Sequence, residues 1–151
     1  MKAYRITRSR FADMSGDGGL MVDGRWHSLG HRIVYAAAEP GLAMLEVIVH
    51  LHVNPSEMPP DHVMMVLELP EAPLQMPGAE AVSLLGDPHA TRRFGDGWLE
   101  ECESLALEVP SVIVPKGRNV LINPVHPDIE RVSTLEIFSI NWDDRLFEGK
   151  D

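Results

Sequence analysis

The sequence has a single cysteine and no long hydrophobic run, and each absence excludes a class of protein. Cys102 has no partner for an internal disulfide, which fits a reducing compartment. No apolar stretch approaches the roughly 20 residues that span a bilayer, and the first residues, MKAYRITRSRF, lack the apolar centre of a signal peptide. We therefore expect a cytoplasmic protein that does not act at a membrane.

Positive charge is also scarce. The chain has 13 Lys and Arg against 23 Asp and Glu, and its formal net charge is −10. Direct nucleic-acid binding is therefore not expected, because such surfaces use clustered basic side chains to neutralise phosphates. The basic residues are nevertheless concentrated near the N-terminus, as Lys2, Arg5, Arg8, Arg10, Arg25 and Arg32. This concentration indicates either a solvated cationic face or a local pocket for a small anion.

The hydrophobic pattern predicts one α+β domain that covers residues 1–151. A chain of 151 residues with 44% hydrophobic content can bury roughly two thirds of the surface that it exposes when unfolded. Alternating or β-branched apolar segments predict strands at residues 2–7, 33–38, 62–69, 108–114, 119–123 and 134–141. Few helices remain to connect parallel strands, so we expect a split, largely antiparallel sheet flanked by helices.

Two regions of the sequence are typical of helices. Pro40 suits a first helical turn, and apolar residues recur at helical spacing after it, although the β-branched run VIV leaves a strand as the alternative for residues 46–51. Asp87 and Pro88 can open a second region, which Gly95 and Gly97 are expected to divide into two short helices.

Glu46 lies in the middle of the first predicted helix, which is apolar on nearly every side and is therefore expected to be buried between layers. A carboxylate in such surroundings must face a cavity, pair with a cation or be protonated. The alternative is a solvated stripe that Glu46 shares with His50, one turn further on. The two interpretations carry equal weight at this point.

Arg25 and Tyr35 precede this helix. Arg25 lies between Gly24 and Gly30, where the backbone can approach a ligand closely and a guanidinium can hold a phosphate or carboxylate with two bonds. Tyr35 projects from a predicted strand and could stack on a flat heterocycle. The simpler interpretations are a structural loop arginine and a core tyrosine with a satisfied hydroxyl.

Other chemistries have weaker support. His27 with His31, His50 with His52, and His126 could bind a metal, but the sequence contains no HExxH motif and no carboxylate at a recognised ligand spacing. No GxSxG motif surrounds a serine, so Ser111, in the β-like segment VPSVIVP, is interpreted as a hydrogen-bond donor on a strand or as plain structure.

Several segments, in order along nearly the whole chain, resemble the RES domain family. They are YRI (residues 4–6), GRWHSLG (24–30), VYAAAEPGLAMLEVIVHL (34–51), GDGWL (95–99), LEVPSVIVP (107–115), NVLINPVHPD (119–128) and WDDRLF (142–147). The family is named for an arginine, a glutamate and a serine, which here resemble Arg25 or Arg5, Glu46 and Ser111. Four positions depart from the common pattern, which has glycine at Asp23, asparagine at His27, an aromatic residue at Val120 and proline at Asp144.

The resemblance implies an ADP-ribosyltransferase-like fold and the toxin of a toxin–antitoxin pair, with NAD+ as its substrate and no metal required. Glu46 and Arg25 would be catalytic, and Arg5, Arg25, Tyr35 and Ser111 would bind NAD+. The reaction would be hydrolysis or phosphorolysis of NAD+, or ADP-ribosyl transfer to a protein. A helix-turn-helix antitoxin is the implied partner, and a protein target and a homodimer stay open. A metal-dependent hydrolase and a non-catalytic nucleotide-binding domain are the alternatives.

Overall fold

The computed structural model describes residues 1–51 and 57–147. Seven strands and three α-helices are present in these residues. The strands are β1 (Lys2–Arg8), β2 (Val34–Ala37), β3 (His62–Glu68), β4 (Leu74–Gln75), β5 (Ala106–Pro110), β6 (Arg118–Ile122) and β7 (Ser133–Ser139), and the helices are α1 (Pro40–Leu51), α2 (Gly78–Leu84) and α3 (Pro88–Glu101). No helix in the described residues is long and apolar enough to cross a membrane.

The strands form one sheet in the order β4-β5-β6-β2-β1-β3-β7. Among the described strands, β4 and β5 pair in parallel and the other neighbours are antiparallel. The sheet has two halves, because β1 and β2 share a single register pair, Tyr4 with Ala37. The predicted α+β class with a split, largely antiparallel sheet is therefore confirmed.

Each face of the sheet packs against different elements. On one face, Ala3, Val34 and Val120 belong to a core that the segments around Met14 and Ile129 cover. The opposite face has two cores: one beneath α2, α3 and the buried Trp26, and a smaller one beneath α1.

Helix α1 is confirmed, and the alternative of a strand over residues 46–51 is wrong, because the helix continues to Leu51. The expectation that α1 is buried between layers is also wrong. Only Leu42 and Ala43 are buried in it, whereas Leu45 and Val49 are each 43% exposed. The helix covers one face of the sheet, and its other side is open to solvent.

Helix α3 corrects the expectation of two short helices. It is one helix of 14 residues, opened by Asp87, whose carboxylate accepts hydrogen bonds from the backbone N–H groups of His89 and Ala90. It continues through both Gly95 and Gly97. Gly95 is explained by packing rather than by a helix break, because a Cβ built on it would lie 1.6 Å from the Trp26 carbonyl oxygen.

Candidate active site

Glu46 is held by two side chains that come from the neighbouring half of the sheet. Its Oε1 accepts a hydrogen bond of 3.1 Å from the Ser111 hydroxyl and one of 2.8 Å from Asn119 Nδ2. Both donors bind the same carboxylate oxygen, and no described residue donates a hydrogen bond to Oε2. The carboxylate is therefore held in orientation through Oε1, while Oε2 has no hydrogen-bond partner among the described residues.

Ser111 lies at the end of β5 and not within a strand, which corrects the prediction of a strand over residues 108–114. Its oxygen accepts the backbone N–H groups of Ile113 and Val114, at 3.2 and 3.1 Å. The single hydroxyl proton is thus directed to Glu46, because the oxygen already acts as the acceptor in a tight turn. Ser111 is buried, and in this state it orients Glu46.

Asn119 is the residue that sequence reasoning missed. It lies on β6, opposite Ala37 of β2 and Val109 of β5. The sequence marks it only as a polar amide at the start of the predicted strand in NVLINP, which does not indicate its contact. Its bond to Glu46 joins residues 73 positions apart, and only the tertiary fold brings them together.

Tyr35 and His27 form a second polar group on the same face of the sheet. The Tyr35 hydroxyl accepts the Trp26 backbone N–H at 3.1 Å and lies 2.7 Å from His27 Nδ1. Because His27 Nε2 lies 2.9 Å from the Val22 carbonyl oxygen, the consistent tautomer carries its proton on Nε2, and Nδ1 accepts from Tyr35. Burial raises the pKa of Tyr35 and lowers the pKa of His27, so both groups are neutral at physiological pH.

These contacts tie Tyr35 to the loop that carries Arg25. Tyr35 pairs with Leu121 of β6, and Asn119 lies two residues away on the same face of that strand. Asn119, which binds Glu46, and Tyr35, which binds the Arg25 loop, therefore lie on the same face of the sheet. The hydroxyl of Tyr35 is satisfied within the protein, as the simpler interpretation expects, and stacking on a heterocycle stays a prediction.

Arg25 is half-buried and makes one long hydrogen bond, 3.4 Å from Nη1 to the Leu85 carbonyl oxygen. No carboxylate among the described residues pairs with it. The neighbouring Asp23 instead lies 3.6 Å from Arg92 Nη2. Arg25 thus retains donors that can bind an anion, which is the property that the sequence predicts for it.

Arg5 lies on the other face of the sheet. Tyr4 pairs with Ala37 on the face that carries Asn119, so its neighbour Arg5 points the opposite way. Its Nη2 donates to the Phe11 carbonyl oxygen at 3.1 Å, its buried Nε has no hydrogen-bond partner within residues 1–51 and 57–147, and burial lowers its pKa to about 10. The structure therefore brings Glu46, Ser111 and Tyr35 to one face with the Arg25 loop, and it does not place Arg5 with them.

The histidines considered as metal ligands are dispersed. His27 is bound to Tyr35 and Val22, and His31 lies 3.2 Å from Glu100 Oε1, a contact that raises the pKa of His31. The structure describes His50 as an exposed residue of α1, whereas His52 lies outside the described residues. Within residues 1–51 and 57–147, no group of three potential ligands is arranged around a metal position.

A family model for the RES domain matches residues 2–143. The chain belongs to the RES domain family. RES relatives include "Toxin Res" of Pseudomonas putida, which is 41% identical and aligns with 97% of this chain and 100% of its own. "Prs ADP-ribosylating toxin" of Sphingobium sp. is 36% identical, over 89% of this chain and 86% of its own.

The RES chain also has a structural relative. A chain in the crystal structure of the M. tuberculosis MbcT-MbcA toxin-antitoxin complex matches it with a TM-score of 0.74. The match covers 97% of this chain and 86% of the other, at 16% sequence identity. At this identity the comparison shows a shared fold.

Proposed function

We propose that this RES protein is the toxin of a toxin–antitoxin pair and that it cleaves the bond between ribose and nicotinamide in NAD+. The observation that carries the proposal is the Glu46 carboxylate, held by Ser111 and Asn119 through Oε1, whose Oε2 accepts no hydrogen bond from the described residues. The names of the relatives support the same function, since one is called "Toxin Res" and another "Prs ADP-ribosylating toxin".

The chemistry requires a carboxylate of this kind. When nicotinamide leaves, the ribose becomes an oxocarbenium-like centre, and its positive charge appears only in the transition state. A fixed negative charge beside that centre lowers the barrier without reorganising. Oε2 of Glu46 is the atom available for this role. Nicotinamide departs as a neutral molecule, so a strong general acid is not needed.

The remaining residues would bind and orient the dinucleotide. Arg25 would hold the pyrophosphate, because no carboxylate in the part of the chain that the structure describes pairs with its guanidinium. Tyr35 would face the nicotinamide end from the same side of the sheet. Ser111 acts through Glu46, since its only proton is donated to that carboxylate. Arg5 is not assigned a contact, because it lies on the opposite face.

Three acceptors are compatible with this site: water, phosphate and a protein side chain. Incubation of the pure protein with NAD+ distinguishes them when nicotinamide and the ADP-ribose product are both measured. Free ADP-ribose indicates hydrolysis, a phosphorylated product that forms only with added phosphate indicates phosphorolysis, and labelled protein in a lysate indicates transfer. The proposal predicts nicotinamide release in at least one condition, and intact NAD+ in all three would overturn it.

The same experiment addresses the two alternatives. A metal-dependent hydrolase would lose its activity in a chelator, whereas nicotinamide release by the Glu46 mechanism should be unaffected. A non-catalytic domain would bind the nucleotide and leave it intact at every protein concentration.

An antitoxin partner is part of the proposal. The structural relative comes from a toxin-antitoxin complex, and we propose that this chain likewise binds a cognate antitoxin, of the helix-turn-helix type. Coexpression with the neighbouring gene product, followed by purification of a stable complex that no longer releases nicotinamide, would support this partner. Recovery of the two proteins separately, with undiminished activity, would contradict it.

A further inference from the structure

The loop that carries Arg25 is bound along one face of α3. Thr91 Oγ1 donates to the Arg25 carbonyl oxygen at 2.6 Å, and Arg92 Nε donates to the Gly24 carbonyl oxygen at 2.9 Å. One helical turn further on, Asp96 Oδ1 accepts the Ser28 backbone N–H at 2.8 Å. Three side chains of α3 thus bind the backbone of the loop before Arg25, at Arg25 and after it.

The packing between these contacts leaves the loop little freedom. Gly95 lies between Arg92 and Asp96 in sequence, and the Trp26 backbone approaches it so closely that no Cβ would fit. Trp26 is 2% exposed and contacts Phe94 of α3 edge-on, with ring centroids 6.2 Å apart. The backbone on both sides of Arg25 is therefore fixed to the helix by hydrogen bonds and by van der Waals contact.

Arg92 has a second contact that concerns the charge of Arg25. Asp23 is two residues before Arg25 and would be a natural partner for it. The structure instead places Asp23 Oδ2 3.6 Å from Arg92 Nη2. Asp23 is thus paired with Arg92, and no carboxylate among residues 1–51 and 57–147 pairs with Arg25, in a protein with a net charge of −10.

We propose that Thr91, Arg92 and Asp96 are positioning residues for Arg25. They fix the loop on α3, and Arg92 also sequesters Asp23, so that the Arg25 guanidinium is oriented and free to hold the NAD+ pyrophosphate before the substrate arrives. This inference rests on the proposed function. It predicts that changes on α3 weaken NAD+ binding without contacting NAD+.

The first test is Thr91→Val, which keeps the shape of the side chain and removes the hydroxyl, with Thr91→Ser as the matched control. For Thr91→Val we expect KM for NAD+ to rise about tenfold, with kcat little changed, because a misplaced guanidinium loses a charge-assisted bond to phosphate. Thr91→Ser should retain a KM close to that of the wild type. An unchanged KM in Thr91→Val, or a fall in kcat alone, would overturn the role of Thr91.

The second test separates the pairing of Arg92 with Asp23 from the hydrogen bond of Arg92 to the Gly24 carbonyl oxygen. Arg92→Met should raise KM, because Asp23 is then free to pair with Arg25. Adding Asp23→Asn in the same chain should reverse part of this rise, since the competing carboxylate is gone. If the double variant has the same KM as Arg92→Met, the sequestration of Asp23 is wrong.

A third measurement does not require catalysis. Hydrogen exchange of the Trp26 and Ser28 amides, in the protein without NAD+, should accelerate in Thr91→Val and Arg92→Met relative to Thr91→Ser. Faster exchange with an unchanged KM means that the loop is held by α3 but that its position does not matter for binding, which overturns the inference alone. Absence of nicotinamide release from the wild type overturns the proposed function, and the positioning role with it.

Discussion

Replacement of Asn119 with alanine is the prediction that follows most closely from the geometry of the site. Asn119 Nδ2 makes the shorter of the two hydrogen bonds to Glu46, at 2.8 Å against 3.1 Å for Ser111. A hydrogen bond to a charged group contributes about 1.5–3 kcal/mol. If that energy serves to orient Glu46 in the transition state, its loss corresponds to a fall in kcat of at least about tenfold.

Asn119 is a cleaner probe of orientation than Ser111. Removal of the Ser111 hydroxyl would also leave the Ile113 and Val114 N–H groups without their acceptor, and would disturb the turn. Asn119→Ala should lower kcat for nicotinamide release with KM for NAD+ little changed, and Asn119→Asp should lower it further, because a second carboxylate would face Glu46. The exposed Asn141 provides the matched control Asn141→Ala. Wild-type kcat in folded Asn119→Ala, checked by circular dichroism, would refute the reasoning.

Three further predictions concern packing, pH and the two arginines. Gly95→Ala should destabilise the protein by about 3 kcal/mol or more because of overpacking. Gly97→Ala, whose new Cβ meets no atom within 4 Å, should instead stabilise it by about 0.5–1 kcal/mol. Urea unfolding of the two variants measures both changes in the free energy of unfolding. Burial lowers the pKa of His27, so as pH decreases the unfolded state binds a proton at this residue before the folded state does. The free energy of unfolding should therefore fall as pH decreases below about 6.5. The fall should be smaller in His27→Asn, and equal slopes in the two proteins would contradict this prediction. Arg25→Met should raise KM for NAD+ far more than Arg5→Met, which removes a half-buried cation from the other face. The reverse order would show that the pyrophosphate binds elsewhere.

The fold could be predicted well where local pattern decides structure. The apolar run of β3, the first helix with Pro40 at its start and the alternation of β1 are all present with nearly the predicted bounds. Helix α3 could not be predicted as one element, because Gly95 is a helix-weakening residue by propensity. Glycine is needed at position 95 because the backbone of Trp26, a residue distant in sequence, leaves no room for a Cβ.

The residues of the candidate site could likewise be predicted only where a local sequence pattern indicates them. A carboxylate in an apolar helix indicates that something unusual surrounds it, and the structure supplies that environment as Ser111 and Asn119. Asn119 could not be predicted as the partner of Glu46, since an asparagine on a strand has no local sequence feature that indicates which residue it contacts. The placement of Arg5 away from the other residues follows from register and from the pairing of β1 with β2, which are tertiary properties.

Nicotinamide release by Glu46→Gln tests the central claim most directly. Glutamine keeps the shape of the side chain and an oxygen that can accept from Ser111 and Asn119, so the fold should be preserved while the negative charge is removed. We expect nicotinamide release from NAD+ to fall by about 100-fold or more, as when a preorganised electrostatic contact to a transition state is lost. Wild-type release by folded Glu46→Gln would contradict the account.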